Sequence, residues 1–157
     1  MSIKLVIRGY SVNVISAYAL QVGIDEGEKK GFWEVLDEVV RGVPRTENLF
    51  IGEDFNGHIG SLMRGYNDVH GDFNFGEKNE GGASLLDFSR AFGLWIANSR
   101  FLKKEDHFTF CSSVAKTQID FLLLWKGDRA LCKDCKVLPS DNRVLGRVDG
   151  IWIVCER

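Results

Sequence analysis

An α/β fold is predicted for this chain because short apolar strands alternate with amphipathic helices along its length. Residues 3–7 and 12–17 are alternating runs rich in β-branched side chains, and the four residues between them predict a hairpin. Residues 32–40 then repeat apolar side chains at helical spacing, and residues 49–51 form an apolar run typical of a buried strand. The 157 residues, 45% of them hydrophobic, are enough for one domain with its own core.

The charge distribution narrows the class of partner. The net charge of −2 argues against a protein that simply coats nucleic acid. Residues 1–99 carry nine Lys/Arg and fourteen Asp/Glu, a net charge of −5, whereas residues 100–147 carry ten and six, a net charge of +4. This asymmetry fits a metal-binding rim beside a phosphate-binding surface, or chance clustering on a solvated surface.

The chain shows no export or membrane signal. No apolar run approaches the roughly 20 residues that span a bilayer, and residues 1–7 are too short and alternating for a signal peptide. Four cysteines without a secretory signal are expected to stay reduced. We therefore expect an intracellular protein, nuclear or cytoplasmic rather than secreted, with no membrane partner.

Two helices and several strands are predicted in order. Asp25 stands three residues before Glu28, the spacing of a capping box, and Gly42 and Pro44 end the first helix. Its apolar stripe consists of Phe32, Trp33, Leu36, Val39 and Val40. A second helix is predicted over 84–92, after a long glycine-rich loop at 57–82. Further strands are predicted at 94–97, 107–111, 118–124, 137–138 and 151–154.

The most informative stretch is 49–60, in which polar side chains directly follow a buried strand. Asp54 and Asn56 are two residues apart, so in an extended chain both would face one pocket at the strand's carboxyl end. A carboxylate and an amide there suit metal-assisted attack on phosphate, but a polar turn has the same composition. His58 either belongs to this site or is a loop histidine.

Two other residues are candidates for chemistry. Asp120 is the only carboxylate in the apolar run 118–124, where burial is unfavourable unless the charge is paired or hydrogen-bonded. Tyr18, at the end of a strand, either fills the core or offers its hydroxyl to a ligand. Cys132 and Cys135 form one CxxC pair, which could indicate zinc or redox chemistry, but the sequence contains no second pair to complete a four-ligand zinc site.

Together these residues resemble a known superfamily. Ser16-Ala17-Tyr18, Gly52-Glu53-Asp54-Phe55-Asn56, Asn98, Phe108-Thr109-Phe110 and Gln118-Ile119-Asp120-Phe121 resemble, in order and spacing, the endonuclease/exonuclease/phosphatase superfamily. Residues 29–34, 54–60 and 113–120 more specifically resemble the family of craniofacial development protein 2, related to endonucleases of RTE-like non-LTR retrotransposons. The resemblance implies a DNase I-like four-layer α/β sandwich, two sheets flanked by helices and truncated at the N-terminus.

The resemblance also implies roles. The superfamily uses Mg²⁺ or Mn²⁺ to hydrolyse phosphodiesters, and the resemblance implies DNA as the substrate, including DNA with abasic sites. By position, Asp54 would orient or deprotonate water, Asn56 and Tyr18 would contact the scissile phosphate, and Asp120 would orient the catalytic histidine. Asn98 and Thr109 would support substrate binding, and Asp141 would contribute to the metal.

Departures from the pattern predict weak or absent activity. The asparagine and glutamate motifs expected upstream of Ser16 are missing, and Ser140-Asp141-Asn142 has asparagine where the superfamily has histidine. We therefore expect one partial domain over 1–157, family-like over 1–138 with a divergent tail at 139–157. The alternatives are a non-catalytic interaction module or a small-phosphoester phosphatase of the same fold.

Overall fold

A mixed five-stranded sheet forms the centre of the protein. The computed structural model describes residues 1–19, 25–61, 65–71, 76–101, 110–111, 116–117, 120–137 and 151–155. The strands are β1 (Ser2–Ile7), β2 (Tyr10–Ser16), β3 (Asn48–Asp54), β4 (Leu94–Ile96), β5 (Phe110–Cys111), β6 (Lys116–Thr117), β7 (Asp120–Trp125), β8 (Cys132–Val137) and β9 (Ile151–Cys155). The helices are α1 (Glu26–Arg41) and α2 (Glu80–Ala91), with short 3₁₀ helices at Ala97–Ser99 and Lys126–Leu131.

The strand order in this sheet is β1-β2-β3-β7-β4. The predicted hairpin is present as the antiparallel β1–β2 pair, with Arg8 and Gly9 at positive φ in its turn. β2 and β3 are parallel, and α1 provides the crossover that parallel neighbours require. β3 and β4 both pair antiparallel with β7, which therefore lies inside the sheet. The sheet therefore contains both parallel and antiparallel pairs.

The first helix follows its sequence signals. The Asp25 side chain accepts a hydrogen bond from Gly27 N over 3.0 Å, so it caps one of the free amides of the first turn. Leu36 and Val40 are buried against the sheet, and the rest of the predicted stripe is partly buried beside them. The helix ends at Arg41, immediately before Gly42, as predicted.

The second helix begins four residues earlier than predicted. It starts at Glu80, and Asn79 is its N-cap, with Oδ1 accepting from Gly82 N over 2.9 Å. Gly81 and Gly82 disfavour a helix by intrinsic propensity, which is why the sequence analysis assigned them to the loop. Their place in α2 is set by tertiary packing, because a Cβ on either residue would crowd the backbone of the loop at 56–59.

The sheet is covered on both faces. On one face, α1 and α2 pack onto alternate residues of the strands, including Ile15, Leu49, Ile51, Leu123 and Ile96. On the other face, a second apolar cluster joins Leu122 and Leu124 to Cys132 and Cys135 of the β8–β9 pair, with Phe50, Trp95 and Phe101 at its border. Helices, the five-stranded sheet and a second sheet are thus stacked, which confirms the predicted α/β class. Within the described residues no helix is long and apolar enough to cross a membrane.

The sequence predicted a strand only at 137–138, whereas β8 spans Cys132–Val137. The strand was missed because a bulge interrupts the alternation of its side chains. Cys135 is three positions after Cys132, a spacing that would place the two side chains on opposite faces of a regular strand. The register shift between Cys132 and Asp134 adds a residue, and both cysteines are buried in the second apolar cluster. Cysteine packs here as a small apolar side chain.

An ion-pair network anchors the loop segment 65–71 to the body of the protein. Asp68 accepts from Lys126 Nζ over 2.7 Å and from Arg90 Nη2 over 2.9 Å. Arg90 also donates to the Gly65 carbonyl and lies over the Tyr66 ring, 4.3 Å from its centroid. Two hydrogen bonds lower the pKa of the Asp68 carboxyl to about 2: the one from Lys126 has the larger effect and the one from Arg90 the smaller.

This network predicts a pH-dependent contribution to stability. Because the folded-state pKa of Asp68 lies below its ordinary value of about 3.9, the stabilisation is complete above about pH 4 and is lost as the pH falls towards 2. The carboxylate is 46% exposed, so solvent screening limits its contribution to less than about 1 kcal/mol. Urea titrations should show Asp68→Asn less stable than the wild type by about 0.5 kcal/mol near pH 6, and a smaller difference between pH 4 and 2. A difference independent of pH would contradict this assignment.

Candidate active site

Two buried aspartates face each other across the β3–β7 pair. Asp54 ends β3, Asp120 begins β7, and the antiparallel register places them directly opposite. Residues opposed in this way point to the same face of the sheet, with Cβ atoms about 5 Å apart. Asp54 is 3% exposed and Asp120 is 7% exposed. Both carboxylates therefore lie at one corner of the sheet, on the face that carries Leu122 and the second apolar cluster.

Tyr18 lies beside this corner because the chain continues to pair with β3 after β2 ends. Ala17 N donates to Gly52 O over 3.0 Å, and Ala19 N donates to Asp54 O over 2.8 Å. Continuing the parallel register places Tyr18 next to Asp54. Its side chain is 46% exposed, so it is not core filling and is accessible to a ligand.

Asn56 does not continue β3 as an extended residue, contrary to the prediction from the sequence. The side chains of Asp54 and Asn56 would share one side only in an extended chain, but β3 ends at Asp54 and Asn56 has a φ of 47°. Asparagine tolerates this left-handed conformation better than most residues. Asp54 Oδ1 accepts from Asn56 N over 2.7 Å, and Asn56 Nδ2 donates to Ala19 O over 2.6 Å. The amide side chain thus fixes the turn after β3 to the chain after β2.

Asn98 holds the strand that carries Asp120. It lies in the short 3₁₀ helix after β4 and is 1% exposed. Its Nδ2 donates to the Asp120 carbonyl over 2.9 Å, and its Oδ1 accepts from Leu122 N over 3.1 Å. The side chain therefore extends the backbone ladder of β4 along β7. This geometry makes Asn98 a positioning residue for Asp120, whereas the substrate contact expected from the resemblance stays a prediction.

Asn79 and Ser99 are two anchors that the sequence analysis missed. Besides capping α2, Asn79 Oδ1 accepts from His58 N over 2.9 Å, so one side chain joins the helix to the turn after Asn56. Ser99 Oγ donates to Ile96 O and accepts from Gly71 N over 2.8 Å. The signal for Asn79 was its preference for N-cap positions, whereas nothing local marked Ser99.

A groove lies between α1 and α2. It has a volume of about 860 Å³, and Trp33, Phe55 and Phe88 contribute aromatic surface to it. Asn56 borders the groove, but Asp54 and Asp120 do not. The groove is therefore distinct from the carboxylate corner.

His58 lies in the loop after β3, and its Nδ1 is buried without a hydrogen-bond partner among the described residues.

Two of the predicted site residues cannot be placed relative to the carboxylate corner. Thr109 and Asp141, predicted to bind substrate and metal, lie outside the described residues, as does the position at 142. Within the part of the chain that the structure describes, no group of three or more His, Cys, Asp or Glu side chains could hold a metal ion. Two carboxylates at one corner nevertheless fit Mg²⁺, which proteins commonly bind through one or two carboxylates plus water and substrate phosphate.

The chain is similar to curated proteins over most of its length. It is 28% identical over 153 residues to craniofacial development protein 2 of Tragulus javanicus and, to the same extent, to that of Bos taurus. The match covers 92% of this chain and 26% of each relative, so the chain spans about a quarter of their length. No family model matches the sequence. The resemblance to craniofacial development protein 2 is thus shown.

Solved structures identify the fold. The endonuclease domain of TRAS1, a telomere-specific non-LTR retrotransposon, matches with a TM-score of 0.65 at 16% identity, covering 96% of this chain and 58% of that one. An endonuclease/exonuclease/phosphatase family protein from Leptotrichia buccalis matches with a TM-score of 0.63 at 17% identity, covering 99% and 52%. The fold is that of the endonuclease/exonuclease/phosphatase proteins. The 3′ phosphatase NExo from Neisseria, bound to a product DNA hairpin, has the same endonuclease/exonuclease/phosphatase fold, with a TM-score of 0.62 at 14% identity over 99% of this chain and 63% of that one.

Proposed function

We propose that this chain is a divalent-metal-dependent phosphodiesterase domain of retrotransposon origin that acts on DNA, with low activity as an isolated chain. The observation that carries the proposal is the opposition of Asp54 and Asp120 at one corner of the sheet, beside an exposed tyrosine. Neighbours with the same fold include a retrotransposon endonuclease domain and a 3′ phosphatase bound to DNA, which favours DNA over other phosphoesters.

The residues at this corner suit distinct tasks. Asp54 is buried, so its carboxylate is shielded from bulk solvent. We assign it the role of orienting or deprotonating a water molecule. Tyr18 is 46% exposed, and its hydroxyl is a donor that suits a phosphate oxygen. Asp120 lies opposite Asp54, and Asn98 bonds to its backbone carbonyl, so the backbone that carries this carboxylate is held in place. Asn56 orders the turn at the end of β3.

The proposed cofactor is Mg²⁺ or Mn²⁺, held by Asp54 or Asp120, with Asp141 as a further ligand suggested by the resemblance. When bound, such an ion polarises the phosphoryl group and stabilises charge that develops in the transition state. The glutamate and histidine that the resemblance calls for have no counterpart in these 157 residues. Losing one such partner commonly costs about 10²–10⁴-fold in rate, so the isolated chain should be slow.

Cleavage of an abasic-site DNA duplex by the purified chain tests this proposal. We expect slow nicking in Mg²⁺ or Mn²⁺, none in EDTA, and a loss of about 10²-fold or more in Asp54→Asn and in Asp120→Asn. Glu28→Gln changes an exposed carboxylate on α1 and should cleave like the wild type. Because all variants are purified identically, equal cleavage by the wild type and Asp54→Asn would reveal a contaminant and overturn the proposal.

Two further substrates distinguish the alternatives. A DNA end bearing a 3′ phosphate is motivated by the 3′ phosphatase of the same fold, and p-nitrophenyl phosphate represents a small phosphoester. Faster release of phosphate from the DNA end than nicking would favour a phosphatase. Metal-dependent DNA binding, measured by fluorescence anisotropy, without hydrolysis of any substrate would instead indicate a non-catalytic binding module and overturn the catalytic assignment.

A further inference from the structure

Two cysteines lie directly opposite each other across the β8–β9 pair. The antiparallel register places Cys132 of β8 against Cys155 of β9. Directly opposed residues of an antiparallel pair share one face, and both their Cα atoms and their Cβ atoms are about 4.5–5.5 Å apart. Disulfides occur at Cα separations of about 4.4–6.8 Å and Cβ separations of about 3.5–4.5 Å. The register therefore meets the Cα requirement, and a closure of about 1 Å or less meets the Cβ requirement.

The bulge in β8 brings Cys132 to this position. The register shift between Cys132 and Asp134 makes Lys133 the extra residue of the strand. Cys132 and Cys135 are both buried, at 6% and 3% exposure. In a regular strand the two cysteines would lie on opposite faces, because they are three positions apart. The extra residue therefore turns Cys132 to the buried face, where position 155 is opposite it.

The alternation along β9 agrees with this placement. Ile151, Ile153 and Cys155 share one face of the strand because they follow one another at intervals of two residues. Ile153 is directly opposite Cys135, which is buried in the second apolar cluster. Position 155 therefore belongs to the face of the β8–β9 pair that packs on the rest of the protein, the face to which Cys132 also belongs.

Cys135 is a poorer partner for Cys132 than Cys155 is. The residues opposite Cys132 and Cys135 are Cys155 and Ile153, so the two cysteines of β8 are separated by two positions of the partner strand. Two positions of a strand span about 6.5 Å, which exceeds the Cβ separation of about 3.5–4.5 Å that a disulfide requires. The pair across the strands is therefore favoured over the pair along β8.

We propose that Cys132 and Cys155 form a reversible disulfide when the chain meets a small-molecule disulfide such as oxidised glutathione. One thiolate of the pair attacks a sulfur of the small disulfide, which forms a mixed disulfide and releases one small thiolate. The other thiolate of the pair then attacks the protein sulfur of the mixed disulfide, which forms the Cys132–Cys155 bond and releases the second small thiolate. Two protein thiols are oxidised, one small disulfide is reduced, and the two protons of the protein thiols pass to the released thiolates.

The bond would join β9 to β8 where β8 packs on the five-stranded sheet. Cys132 belongs to the second apolar cluster together with Ala97 and Leu122, so the staple lies next to β7 and the short 3₁₀ helix after β4. Both cysteines belong to one pair of strands in one chain. The reaction is therefore intramolecular, and it requires neither a partner protein nor nuclease activity.

Peptide mapping identifies the bond directly, because trypsin places each of the four cysteines in a different peptide. The cysteines and their peptides are Cys111 in 105–116, Cys132 in 130–133, Cys135 in 134–136 and Cys155 in 148–157. The purified 157-residue chain is equilibrated in glutathione buffers from reducing to oxidising, alkylated, digested without reductant and analysed by mass spectrometry. We expect peptide 130–133 joined to peptide 148–157 at a mass about 2 Da below their sum, and separate again after excess reduced glutathione.

Cysteine substitutions provide matched controls. Cys132→Ala and Cys155→Ala should each lose the joined peptide, whereas Cys111→Ala and Cys135→Ala should retain it. Oxidation should raise the thermal unfolding midpoint of the wild type by roughly 5–15 °C, because the bond constrains the unfolded chain. The same treatment should leave the midpoint of Cys155→Ala unchanged.

Three results would overturn the proposal. In the first, Cys132 and Cys155 remain alkylated, or carry only glutathione, in the most oxidising buffer. In the second, peptide 130–133 is joined to peptide 134–136, which would make the CxxC cysteines the partners. In the third, the joined peptide comes only from dimers on a non-reducing gel, which would make the bond intermolecular. If Cys132→Ala fails to fold by circular dichroism, Cys155→Ala alone decides the assignment.

Discussion

Replacing Gly82 with alanine should destabilise the protein by about 3 kcal/mol or more, or prevent it from folding. Gly82 is buried in the first turn of α2, where the helix backbone packs directly on the loop that follows β3. A Cβ at this position would overlap the carbonyl of His58 and approach Ile59 N to 2.9 Å. These are backbone atoms and cannot move aside as a flexible side chain would. The helix would have to separate from the turn that carries Asn56.

Urea and thermal unfolding followed by circular dichroism measure this effect. Gly31→Ala is the matched control, because Gly31 lies in the middle of α1 and a Cβ there meets nothing within 4 Å. Alanine is preferred over glycine in a helix, so Gly31→Ala should be as stable as the wild type or more stable by up to about 1 kcal/mol. Similar behaviour of the two variants would show that the close approach at Gly82 is not required.

Replacing Asn98 with alanine should cost about 3 kcal/mol of unfolding free energy. The amide is buried and satisfies two backbone groups of β7, the Asp120 carbonyl and the Leu122 amide. Alanine can satisfy neither, and each unsatisfied buried group costs roughly 1–3 kcal/mol. Because one of these bonds is made to Asp120 itself, the substitution should also loosen the carboxylate corner.

An exposed asparagine is the control for this substitution. Asn67 lies on the surface of the loop segment 65–71, and Asn67→Ala should change the unfolding free energy by no more than about 0.5 kcal/mol. Chemical denaturation of both variants provides the comparison. An Asn98→Ala protein with wild-type stability would show that β7 is held at Asp120 by other contacts. A reduced DNA nicking rate in Asn98→Ala under conditions where it remains folded would support the positioning role.

Local patterns predicted the elements whose residues interact with near neighbours in sequence. The β1–β2 hairpin, α1 and β3 each carry a complete period of apolar side chains and a recognisable turn or cap. The start of α2 and the length of β8 were missed because tertiary contacts override the local signal there. α2 includes Gly82 because its first turn packs closely on the loop after β3, where only glycine fits. The bulge in β8 buries on one side two cysteines that a regular strand would place on opposite faces.

The sequence by itself determined the fold class, the order of strands and helices, and the residue types available for phosphate chemistry. Those features depend on short-range periodicity and on matching motifs, both of which can be read from neighbouring residues. The tertiary structure alone decided that Asp54 lies opposite Asp120. It also decided that the Asn56 side chain donates to the Ala19 carbonyl, and that the Asn98 side chain donates to the Asp120 carbonyl of β7. Strand register and the left-handed turn at Asn56 arise from contacts between distant residues, which no local pattern specifies.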